Sequence, residues 1–136
     1  MNVQRTVTIH IADDPDLRAT LAGFQGVQQR ISALCYNHGK PLSALALHRA
    51  VYQDVKGVIS SQMTCTAIRL VAGAYAAARS NKKPALRPFE FKRPTALFLV
   101  GERGRDARFC HDGTLSIWTV AGRKRIAYSV PDAFKQ

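Results

Sequence analysis

Between Ser80 and Pro94 the chain sets Lys82, Lys83, Arg87, Lys92 and Arg93 around Phe89 and Phe91, with Pro84, Pro88 and Pro94 interrupting any helix. Proline lacks an amide donor and clashes with the preceding turn, so this stretch reads as an extended basic segment. Cations along an extended chain can track a phosphate backbone, and rings beside them can stack on bases. The two-residue spacing of the phenylalanines is equally that of a core-facing strand edge. A second group, Arg123-Lys124-Arg125, follows an Ala121-Gly122 turn. Three cations there can grip backbone phosphate, or protect an edge strand from aggregation by charge. Strand alternation puts Arg123 and Arg125 on one face and Lys124 on the other.

Other chemistries find little support. His10, His38, His48 and His111 are scattered, with no H-x-x-x-H and no carboxylate at ligand spacing. Cys35, Cys65 and Cys110 are odd in number and far apart, which encodes neither a disulfide framework nor a zinc ribbon. They read as small buried hydrophobes in a reducing compartment. There is no G-x-S-x-G and no glycine-rich phosphate loop. Asp13, Asp14 and Asp16 fit helix capping, while Asp54, Glu90, Glu102, Asp106, Asp112 and Asp132 fit charge balancing. No catalytic residue, metal or cofactor is expected.

The net charge is +11, from 20 Lys and Arg against 9 Asp and Glu. Residues 79–125 carry net +8 of it, which makes a footprint for a polyanion rather than a diffuse bias. The 136 residues suffice for one core. No signal peptide or membrane-spanning run is visible, so a cytoplasmic protein away from membranes is expected.

These groups need a scaffold. Thr6 to Ile11 alternates like a half-buried strand that must pair with something later. Asp13-Asp14-Pro15-Asp16 is a helix start, followed by Leu17, Leu21, Phe24, Ile31, Leu34 and Cys35 on one face and a stop at Asn37-His38-Gly39. A second helix runs from Ser43 with Leu47, Val51, Tyr52 and Val55 on one stripe, and a third from Ser60 or Ser61 with Ile68, Val71 and Tyr75. Thr95 to Val100, Thr114 to Val120 and Arg125 to Val130 read as strands, and Gly101 to Arg108 as a charged connection. Strand, three helices, then strands implies a helical insertion between an early strand and its partners.

Two motifs then point to a family. Arg87-Pro-Phe-Glu-Phe-Lys92, followed by Gly113 to Arg123 (GTLSIWTVAGR), resembles the segment ahead of the nuclease domain in OrfB proteins, also called TnpB. These are transposon-encoded RNA-guided endonucleases similar to type V CRISPR effectors. The resemblance implies an α+β fold: a small antiparallel β-barrel of the split wedge or OB-like type from residues 3–11 and 87–130 and an inserted three-helix recognition bundle over 14–79, with the proline-rich stretch over 80–94 as a basic linker. It implies structured guide RNA and target-adjacent DNA as partners, with a separate nuclease-domain chain as a further one. By motif match it carries nucleic-acid binding to Arg87, Lys92, Arg93, Arg123, Lys124 and Arg125, beside Lys82 and Lys83. The family's nuclease core would lie beyond Gln136, so binding without cutting is expected here. The competing expectations are a stand-alone DNA-binding transcriptional regulator and a non-catalytic accessory or structural protein.

Overall fold

The computed structural model describes residues 4, 6–39, 42–83, 85–102 and 105–132. The element order is β1 (His10–Ile11), α1 (Pro15–His38), α2 (Ala44–Val55), α3 (Ser61–Ser80), β2 (Ala107–Phe109), β3 (Thr114–Thr119) and β4 (Gly122–Ser129). Among the described residues the architecture is α+β: three helices and an open four-stranded antiparallel sheet in the order β1-β4-β3-β2.

Each helix begins where a side chain satisfies its orphan amides. Asp14 Oδ1 accepts from Asp16 N (2.9 Å) and Leu17 N (3.1 Å), with Pro15 in the first turn. Ser43 and Ser60 do the same for Ala46 N and Met63 N. α1 stops at Gly39, whose φ of 76° favours glycine. The apolar stripes meet in one core: Phe24, Val27 and Ile31 from α1, Leu47, Val51 and Val55 from α2, and Met63, Ala67, Ile68 and Val71 from α3. Burying a side chain of the size of Leu47 or Ile31 contributes about 1.5–3 kcal/mol. Of the three cysteines, all free, only Cys35 is buried, and burial pushes its thiol pKa up; Cys65 and Cys110 are partly accessible, against the expectation for them.

A smaller cluster of Ala107, Leu115, Ile117 and Ile126 lies on the sheet, with Leu17, Phe98 and Tyr128 against it. Phe98 touches both cores, and Trp118 of β3 packs on the helical one. Buried Thr20 joins helix to hairpin: its hydroxyl donates to Asp16 O (2.7 Å) and accepts from Val120 N (3.0 Å).

The opening strand pairs with the closing one, His10 opposite Ser129 and Ile11 opposite Tyr128. It is shorter than its alternation suggests. Continued in that register, Ile9 would face Val130 and Thr8 would face Pro131, which has no N–H to give. Of residues 95–100, only Val100 makes a bridge among the described residues, with Ala107. Their backbone is used otherwise: Asp106 Oδ2 accepts from Leu99 N (2.9 Å), Leu99 O from Ala107 N (3.2 Å), and Ala107 O from Gly101 N (3.0 Å). The charged connection therefore contains the start of β2. Among the described residues, no helix is long and apolar enough to cross a membrane.

Candidate nucleic-acid interface

The basic segment is a strap pinned to the helices by side chains. Gln25, Gln29, Ser32 and Tyr36 recur at helical spacing on α1 and form a polar stripe beside the apolar one. Gln25 Nε2 donates to Phe91 O (2.5 Å), and Phe91 N donates to Gln29 Oε1. Ser32 Oγ donates to Phe89 O (2.8 Å), Tyr36 Oη to Leu86 O (2.7 Å), and Phe89 N to Tyr75 Oη (3.1 Å). The helices thus supply the partners that a neighbouring strand would have offered. Phe91 packs against the helical core, and Phe89 sits 4.5 Å from the Tyr75 ring, centroid to centroid. Both rings anchor the strap. Removing the Tyr75 hydroxyl (Tyr75→Phe) deprives Phe89 N of its acceptor and is expected to cost about 1–2 kcal/mol in urea unfolding.

With its inner edge held, the strap turns its cations to solvent. Lys82, Lys83, Arg87, Lys92 and Arg93 are all exposed. Lys82 adopts φ 56°, and the bonds Lys82 N to Arg79 O and Lys83 N to Ala78 O close α3 in the manner usually given to glycine. Both lysines stand at the negative end of the helix dipole. Among the described residues, none of the five strap cations makes an ion pair with a carboxylate.

The hairpin cations are engaged within the fold. Lys124 Nζ lies 2.6 Å from Asp14 Oδ2 and 3.0 Å from Asp16 Oδ2, tying β4 to the start of α1. Arg125 Nη1 is 3.1 Å from Asp112 Oδ2, in an exposed pair. Arg123 Nε donates to Ser116 Oγ (2.8 Å) and its Nη1 to Arg105 O (3.0 Å). The register puts Arg123 opposite Trp118 and Arg125 opposite Ser116, on one face, with Lys124 opposite Ile117 on the other. Arg108, also opposite Ser116, adds a third arginine to that face; the reading of residues 101–108 as a connection hid it.

The Lys124 contact has a pH signature. Its side-chain hydrogen bond to Asp14 holds that carboxyl below the ordinary 3.8, aided by the cap amides, while Asp14 and Asp16 raise the lysine above 10.5. Asp14 therefore contributes stability that is present above its unfolded pKa and lost as pH falls through the lowered folded value; Lys124 contributes stability present below its unfolded pKa and lost as pH rises through the raised one. The Tm difference between the native chain and Lys124→Met should be flat from about pH 5 to about pH 9 and shrink below about pH 4. A difference that persists undiminished in acid removes this assignment.

Asp112 anchors the turn before β3, accepting from Thr114 N (3.1 Å) and Thr114 Oγ1 (2.5 Å), which lower its carboxyl pKa. Asp106 is buried rather than a surface counter-charge, and accepts from Ser60 Oγ (3.3 Å) and Leu99 N. Among the described residues, no three His, Cys, Asp or Glu side chains gather as a metal site. Compared with models of protein families, with curated proteins and with solved structures, the chain matches none of them.

Proposed function

We propose that this chain is a non-catalytic nucleic-acid-binding module that holds structured guide RNA and the DNA beside its target, in the manner of the part of an OrfB/TnpB nuclease that precedes the nuclease domain. The observation that carries the reading is the strap: five exposed cations with no carboxylate partner among the described residues, on a backbone fixed by α1 and α3. An unneutralised charge row costs self-repulsion, which a polyphosphate relieves. The motif likeness of Arg87–Lys92 and Gly113–Arg123 supplies the identity of the partner.

The split barrel belongs to the same proposal. Val7, Ile9 and Ile11 from the opening segment and Ala96, Phe98 and Val100 from the segment after the strap line one apolar cleft of about 750 Å³ with Leu115 and Ile117. Alternate apolar residues facing a shared interior suit closure of the sheet into a small barrel. Filter-binding titration against structured RNA at increasing salt tests the function: a steep fall of affinity is expected, and a flat response overturns the reading. Competition with duplex DNA separates guide RNA binding from a transcriptional regulator.

A further inference from the structure

Beyond phosphate tracking, and resting on that reading, we propose that the strap receives one unpaired nucleotide and that Glu90 selects its base by accepting hydrogen bonds from the Watson–Crick edge, guanine above the others. A cleft of about 440 Å³ opens along the strap, lined by Leu86, Arg87, Pro88, Phe89, Glu90 and Lys92. Its volume falls in the range of sites that enclose small ligands. The lining divides by chemistry. Arg87 and Lys92 suit a phosphate on either side, and Pro88, Phe89 and Leu86 offer apolar surface to the face of a base. Leu86 is 90% exposed, so a large apolar side chain is open to the face of a base beside Arg87.

Glu90 is the informative residue. A carboxylate amid five cations weakens attraction for polyphosphate, so a plain phosphate track is better without it. The ordinary role of such an acid is to neutralise a neighbour through an ion pair, and Glu90 makes none among the described residues. A carboxylate has two acceptor oxygens and no donor, and so matches adjacent N–H groups on a base edge. Guanine offers two, cytosine and adenine one amino group, and uracil no amino group. Bases inside a duplex are closed to such a contact, which makes the ligand single-stranded.

The test uses labelled uridine oligomers of about twelve nucleotides, with the central residue U, C, A or G, in fluorescence anisotropy. The native chain is expected to bind the G probe about five- to tenfold more tightly than the U probe. Glu90→Gln should bring that ratio to about one while leaving the U probe bound as well or better, with unchanged circular dichroism. Equal affinity for all four probes overturns the inference, as does a Glu90→Gln variant that tightens all four equally, because the carboxylate then acts only through charge. Binding of structured RNA without any of the single strands sinks the inference and leaves the proposed function standing; loss of both sinks both.

Discussion

Replacing Lys82, Lys83, Arg87, Lys92 and Arg93 together by glutamine is expected to flatten the slope of log affinity against log salt for structured RNA by about 3.5–4.5. Taking the electrostatic contribution as spent near 1 M, this corresponds at 0.1 M salt to a loss of affinity of about 3.5–4.5 orders of magnitude, since each neutralised phosphate releases about 0.7–0.9 counterion. The variant should remain folded. The five side chains are exposed and free of ion pairs among the described residues, and surface changes of that kind usually stay within about 0.5 kcal/mol each. The matched control is Arg123→Gln, Lys124→Met and Arg125→Gln, in which three cations with partners in the chain are removed at once. That variant should lower the urea midpoint and change the salt slope far less. If the hairpin set flattens the slope as much as the strap set, the interface extends over both, and the division between free and engaged cations loses its meaning for binding.

That division could not be read from residue types. Lys124 looks like any lysine in a basic run, and its partners lie 108 and 110 positions away, brought near only because the first helix docks its N-terminus against the last strand. Alternation did put Arg123 and Arg125 on one face, because a side-chain period of two is local to the strand. The helices were legible for the same reason: Asp14, Ser43 and Ser60 cap through residues two or three positions on, and the stripes follow from a 3.6-residue turn. The strands were less so. Thr95 to Val100 has the apolar alternation of a strand, but whether its amides meet a ladder depends on what folds beside it, and here a buried carboxylate takes one of them. The polar stripe Gln25, Gln29, Ser32 and Tyr36 was open to inspection at four- and three-residue spacings. Polar residues on a helix normally face water, so only the arrival of the strap marks these as ligands of its backbone.

Changing Asp106 to alanine is expected to cost about 3–4 kcal/mol, a large share of the 5–15 kcal/mol by which domains of this size are stable. The residue is 3% exposed and joins three elements. Its Oδ2 accepts from Leu99 N at 2.9 Å where the chain leaves the strap, its Oδ1 accepts from Ser60 Oγ at 3.3 Å at the start of α3, and its carbonyl accepts from Trp118 N at 2.8 Å in β3. Alanine keeps the last bond and abolishes the first two. Leu99 N–H is then left in a part-buried position without an acceptor, and an unmet donor costs more than a made bond contributes. Ser60 still caps Met63 N, so α3 itself should persist. Asparagine retains one acceptor oxygen for Leu99 N and an amide that Ser60 Oγ can accept from, and should cost only about 1–2 kcal/mol. Urea unfolding at neutral pH measures both, and amide exchange at Leu99 locates the effect. Protection there should collapse in the alanine variant while the amides of α1 beside Phe24 and Ile31 keep theirs, because the helical core stands on its own contacts and the sheet is held to it through Asp106, Thr20 and Lys124. A cost below about 1 kcal/mol, or loss of protection spread evenly through both layers, would mean that the carboxylate does not carry the junction.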